Sequence, residues 1–403
     1  MKPGARMDPY VVISCDGHAG AATPDFKPYL PRRLHDDFDA WWRATTSNGE
    51  LRLDANEDPR NFDIDQRFRD LEADGVVAEV IYPNTLTPFA RGEFNSAHVD
   101  KERVDVDLRW EGLRAYNRWA ADWVSVAPHR FAAMAQISLH HIDESATEIR
   151  RAHEAGLRGG VLLPGLPPGN PLPPYHDPVY DPIWRACDGR GMTLNHHGGS
   201  AAPHYGKHPG STIIFLAEVG WFSHRALTFL ILGGVLERHP NLRLVMSEQG
   251  AGWVPDHLAV LDRYASYGTL VRDPLGGGHL SLSPSEYFSR QCYVGASFLA
   301  PPELAQLDRI GADRVLWGSD YPHREGTWPY SRESLRFTFA GVDPDIVRRM
   351  VGTNAALLYG FDLDALAPIA ASACPTPEDV AVPLTTVPTD TISPAFDNYA
   401  GSR

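Results

Sequence analysis

The chain has 403 residues, and 51 acidic side chains against 37 basic ones leave a formal net charge of −14. No cluster of Lys or Arg interleaved with aromatic residues stands out, which argues against nucleic acid as a partner. The four cysteines, Cys15, Cys187, Cys292 and Cys374, are far apart and form no C-x-x-C pair, so neither a zinc ribbon nor a disulfide framework is expected and a reduced cytoplasm fits.

In chain order, a β-branched run at 10–15 reads as a first strand whose tip offers Asp16-Gly17-His18. Residues two apart on an extended segment point to the same side, so both side chains can reach one cation. Residues 21–70 are rich in Pro, Trp and charge without clear periodicity and read as an insertion over the mouth of a barrel. A helix ending at Gly75 leads into a second strand over 76–84, closed by Pro83. The stretch 108–126 places Leu113, Tyr116, Trp119, Ala120 and Trp123 at helical spacing. A third strand over 131–139 ends in His140-His141, and a fourth over 159–164 follows the helix at 145–155.

After a helix at 182–190, a fifth strand carries His196-His197 at its tip. The window 213–236 is the most apolar long one, yet Glu218, His224 and Arg225 lie inside it, so it reads as a core helix and not a membrane span. A charged-then-apolar leader is likewise missing at the start. The sixth strand, 242–247, delivers Glu248; the seventh spans 292–298; the eighth ends Gly318-Ser319-Asp320, where Pro322 forces the chain out of regular structure. Strands alternating with helices predict a parallel (β/α)8 barrel over 8–362. Residues 363–403 read as an extended or disordered tail, with Phe396 and Tyr399 as anchors for assembly, a homodimer or a higher homo-oligomer.

The tips then read together. Metal-ligand types stand at the first (Asp16, His18), fifth (His196, His197), sixth (Glu248) and eighth (Asp320). Imidazole with carboxylate is a set for a divalent transition metal, whose open position would hold a water to be activated. His323, Arg324 and Trp328 follow Asp320 on the same loop and, with Trp253, are candidates for handling substrate. His140, His141, His204 and His208 are weaker ones on nearby loops, and Trp221 reads as wall or core.

With D-x-H on the first strand, the His-His-Gly-Gly run on the fifth and Gly318-Ser319-Asp320-Tyr321-Pro322 on the eighth, the sequence resembles the amidohydrolase-related, decarboxylase-like branch of the metal-dependent amidohydrolase superfamily. Pro240-Asn241-Leu242-Arg243 and the closing helix from Asn354 to Phe361 add to the resemblance. It implies a distorted (β/α)8 barrel with a metal at its mouth. H-x-G can be read through His196 or His197; Asn195, two before the ligand as in related sequences, favours His197. Many decarboxylases of the branch carry a proton-handling His on the sixth strand, where this chain has Glu248.

Three functions compete. A metal-dependent hydrolase would use Asp320 or Glu248 as the base for water attacking an amide, ester, lactone or thioester of a small organic acid. A nonoxidative decarboxylase or hydratase would chelate a carboxylate and deliver a proton from the mouth. A non-catalytic relative would only bind a ligand. A carboxylate base suits water activation, so Glu248 tilts the reading toward hydrolysis. Two-metal members bridge their ions with a carbamylated lysine on the fourth strand, but that strand ends Val161-Leu162-Leu163-Pro164 and none of the four lysines lies near it. One divalent ion is expected, with room for a second if Glu248 and the spare histidine bind. A set this rich in carboxylates makes iron or manganese a rival to zinc.

Overall fold

Uncharged runs such as Val315-Leu316-Trp317, each at most 1% exposed, are what a strand buried on both faces requires. The computed structural model describes residues 7–47, 57–90, 105–267 and 280–396. Within them lie β1 (Ile13–Ala19), β2 (Ala78–Pro83), β3 (Phe131–Ala133), β4 (Ala135–Gln136), β5 (Val161–Leu162), β6 (Thr193–His197), β7 (Arg243–Ser247), β8 (Cys292–Ser297) and β9 (Val315–Gly318). Neighbours pair in parallel in chain order, as β1-β2-β3 and β4 through β9.

The expected third strand is interrupted at Met134, and this divides the ladder in two. Met134 N–H still donates to the Ile81 carbonyl at 3.0 Å, whereas Ala135 N–H donates to that of Gly160 at 2.8 Å. The chain changes neighbours there without leaving the wall. At the other seam Gly17 bridges Tyr321 in parallel, Asp320 N–H donates to the Asp16 carbonyl at 2.8 Å and His18 N–H to that of Tyr321 at 2.7 Å. The molecule is a distorted (β/α)8 barrel, and its second seam falls where β1 and β9 present their acids.

The segment 21–70 is more regular than its composition implies, because helices His35–Ser47 and Ile64–Asp74 occupy about half of its described part. Asp63 caps the second by accepting from Gln66 N–H, and Gly75 ends it at φ 90. Arg67 on that helix is fully buried: its Nε donates to Glu79 Oε2 at 2.6 Å and its Nη1 to the His18 carbonyl at 2.9 Å. A charge out of water needs such partners, and these tie the insertion to the tip of β1.

Two expectations change. Helix Ser211–Leu232 is long and apolar enough to cross a membrane by length and composition, but it is a core helix only in its second half. Ala226, Leu227, Leu230 and Ile231 are buried on the barrel, while Ile213, Ile214, Leu216 and Trp221 are exposed; Trp221, 68% exposed, is therefore neither wall nor core. The tail is not extended at its start: Leu363–Ala373 is a helix, capped by Asp362, that buries Leu366, Ala370 and Ala373 at helical spacing. Beyond it, Phe396 packs on Phe337 of the same chain at 5.9 Å, and Tyr399 lies outside the described residues.

Candidate active site

β1 delivers two side chains to one side of the barrel mouth because Asp16 and His18 are separated by a single residue. Gly17 between them leaves no room for a side chain, since a Cβ there would lie 2.5 Å from Glu79 Oε1. On the closing strand a Cβ at Gly318 would meet Asp16 Cβ and Ser297 Oγ, both at 2.8 Å. Ser14 stitches the strands further: Ser319 N–H donates to its Oγ at 2.9 Å. These contacts fix the carboxylates of Asp16 and Asp320 within reach of one imidazole.

That imidazole is His18, whose Nε2 lies 3.2 Å from Asp16 Oδ1 and 3.1 Å from Asp320 Oδ1. From β6, His197 Nε2 approaches Asp16 Oδ1 at 3.4 Å. Asp16, His18, His197 and Asp320 are all buried, and Asp16 Oδ1, His18 Nε2, His197 Nε2 and Asp320 Oδ2 have no hydrogen-bond partner. Four unpartnered polar atoms buried in one place are costly unless something they face repays them. A divalent cation fits, because donor atoms about 2.0–2.2 Å from one centre stand about 3 Å from each other. The donor groups found among the described residues, Asp16 with His18 and His197, and His18 with Asp320 and His323, share His18 and so describe one locus.

Burial would raise the Asp16 carboxyl, but His197 and the contacts of His18 outweigh it and hold Asp16 well below the usual carboxylate range. Burial raises Asp320 too, and His323 and His18 bring it down. The imidazoles respond in reverse. Burial alone would depress both; Asp16 and Asp320 lift His18, and Glu248 with Asp16 lifts His197 to about 9. Each imidazole proton held there stands where a cation would satisfy the same acids.

The next layer positions these groups. Ser297 Oγ donates to Asp16 Oδ2 at 2.6 Å. The other nitrogen of His197, Nδ1, faces the Gly198 carbonyl at 3.0 Å and Glu248 Oε2 at 3.2 Å. Glu248 thus lies behind the imidazole and not in the donor cluster, and burial pushes its carboxyl up to about 8 against the pull of His197. His323 Nδ1 meets Asp320 Oδ1 at 2.8 Å, and its Nε2 donates to Asn84 Oδ1 at 2.8 Å. Asn84 Nδ2 in turn donates to Asn61 Oδ1 at 2.6 Å, which orients the amide.

Of the two adjacent histidines, His196 faces the opposite side of β6, as strand alternation demands. Its Nε2 lies 3.3 Å from Ser200 Oγ, Tyr175 stands edge-on at 6.3 Å, and burial pushes the imidazole down to about 3. The structure does not bring His196 to the cluster. Trp253 stacks on His224 at 3.5 Å and Trp328 packs edge-on to Tyr321 at 5.6 Å, so packing occupies both rings, while Arg324 is exposed. His141 pairs with Asp107 at 2.7 Å and belongs to neither donor group. Asn61, Asn84 and Ser297 carry no charge and are no usual metal ligands, so residue type alone does not single them out. Asn84 at least stands just past a strand, where the same rule of polar residues at carboxyl ends would have found it.

The model of the amidohydrolase family matches residues 52–361, and the chain belongs to that family. A gamma-resorcylate decarboxylase from Rhodococcus jostii is 26% identical over 270 residues, which are 62% of this chain and 76% of the relative. Among solved structures, a 5-carboxyvanillate decarboxylase from Sphingomonas paucimobilis superposes with TM-score 0.65 at 19% identity, covering 88% of this chain and 100% of the other. A 5-carboxyvanillate decarboxylase from Novosphingobium aromaticivorans, complexed with manganese and 4-hydroxy-3-methoxy-5-nitrobenzoic acid, gives 0.66 at 19% identity over 87% and 96% of the two chains. The solved structures share the barrel.

Proposed function

We propose that this chain is a divalent-metal-dependent, nonoxidative decarboxylase of a hydroxyl-substituted aromatic carboxylic acid. The observation that carries the reading is the His323–Asp320 pair beside the buried donor cluster, an imidazole next to the place where a substrate carboxylate would be gripped. Asp16, His18, His197 and Asp320 would hold the ion, and the manganese in a related decarboxylase structure supports the fit of two imidazoles with two carboxylates. When bound, such an ion supplies positive charge that grips a carboxylate with its neighbouring phenolic oxygen and draws electron density toward them. A second ion has no separate donor group among the described residues.

The chain's own residues handle the proton. Both nitrogens of His323 face oxygen, and the ring can donate to Asn84 and Asp320 together only as the imidazolium. From there a proton passes to the ring carbon that bears the carboxylate. The carbon–carbon bond then breaks, its electron pair restores the aromatic ring, and carbon dioxide leaves. His323 takes up a solvent proton to begin again.

Hydrolysis, which Glu248 favours on residue type alone, loses that support in three dimensions, because this carboxylate is engaged behind His197. The decarboxylase relatives support the lyase reading as well. The experiment is a panel of manganese-loaded assays on 2,6-dihydroxybenzoate, 5-carboxyvanillate and aryl esters. Carbon dioxide from a hydroxybenzoate is the expected product; acid release from esters with no carbon dioxide from any panel member would overturn the reading in favour of a hydrolase.

A further inference from the structure

Four residues other than glycine have positive φ among those described, and three of them, Glu248 (54), Phe298 (63) and Asp320 (57), stand just past the strands β7, β8 and β9. A left-handed backbone is strained for a residue with a Cβ, and most of all for a bulky one, so it persists where the surroundings fix it. In two of the three the same turn sends the side chain to the site: Glu248 to His197 and Asp320 to His18. Phe298 occupies the equivalent position on β8, directly after Ser297, whose hydroxyl holds Asp16. It is half-buried and belongs to none of the three apolar clusters formed among the described residues. A phenylalanine that the core does not take up, in a backbone that glycine would adopt without strain, is placed for something other than folding.

We propose that Phe298 is the aromatic wall against which the ring of the substrate acid lies, and so a specificity-determining residue that selects aromatic over aliphatic carboxylates. The inference rests on the decarboxylase reading above for its substrate class. A ring held edge-on or offset against Phe298 stays put while its carboxylate reaches the acids and imidazoles on the neighbouring tips.

The test compares full-length, manganese-loaded wild type with Phe298→Gly and Phe298→Leu. It measures the thermal midpoint and the affinity for 2,6-dihydroxybenzoate and 5-carboxyvanillate by calorimetry. Phe298→Gly removes both ring and strain, so its midpoint is expected to equal or exceed that of wild type while affinity falls about tenfold, the effect of losing one aromatic face. Phe298→Leu keeps the backbone strained and should also bind more weakly. A lowered midpoint in Phe298→Gly would make the ring a packing element and end the proposal. So would unchanged affinity in Phe298→Gly, or wild-type affinity in Phe298→Leu, which would assign the effect to the backbone. If wild type itself binds neither acid, the substrate class is wrong and the wall falls with it, an outcome distinct from a wild type that binds and a glycine variant that binds equally well.

Discussion

The barrel wall has two unequal parts. β1, β2 and β6 to β9 run for four to seven residues each, whereas β3, β4 and β5 have only two or three. Every side chain in the donor cluster comes from the tips of the long strands β1, β6 and β9, and those that position it, Asn84, Glu248 and Ser297, come from β2, β7 and β8. Just past the short strands β4 and β5 stand Ile137 and Leu163, which are buried and apolar. A functional group is held no more accurately than the ladder beneath it, so charged chemistry gathers where the ladders are longest. The other arc serves packing, and its short ladders cost the site nothing.

The largest effect on turnover with the metal still bound should come from His323, the proposed proton carrier on the long-strand arc. His323→Gln keeps the polarity of the side chain but carries no ionisable proton, and kcat should fall by roughly 10²–10⁴, the usual worth of a positioned acid, with metal content unchanged. Steady-state rates beside elemental analysis read both quantities. Wild-type turnover in this variant would move the proton to another group and weaken the case for the long-strand arc.

A smaller effect is expected at Glu248, which orients His197 from behind. Glu248→Gln should lower manganese affinity roughly 10–100-fold, as loss of a carboxylate behind a ligating histidine does. The barrel should keep its thermal midpoint, since this side chain anchors no core residue. Complete loss of the ion would instead make Glu248 a direct ligand, as its residue type alone first implied.

Much of this was legible in the sequence, for reasons that differ by residue. Asp16, His18, Glu248 and Asp320 could be found because each breaks a buried apolar run at its carboxyl end. His197 could be separated from His196 by strand alternation once the strand was placed. The break at Met134 was not legible, because 131–139 stays apolar throughout and the change of partner is set by closure of the barrel. Asn84 stood legible at a strand's carboxyl end, whereas Asn61 was not, because a neutral amide in the insertion gains its meaning only from the Asn84 side chain it orients. The helix Ser211–Leu232 misled because composition records how apolar a helix is and not how far along it the barrel extends. In Leu363–Ala373 the buried stripe is mostly alanine, and Pro368 inside it argued against the helix that forms.

The central claim is that the long-strand tips hold one divalent ion that turnover requires. Its most direct test is manganese titration of chelator-stripped protein, with carbon dioxide release followed on the same samples, for wild type, Asp320→Ala and Leu163→Ala. Wild type should bind about one ion per chain and recover activity in proportion. Asp320→Ala should bind weakly and stay inactive, and Leu163→Ala, on the short-strand arc, should be less stable by about 2–5 kcal/mol yet bind the ion as wild type does. Full activity of stripped wild type, or undiminished binding in Asp320→Ala, would contradict the account.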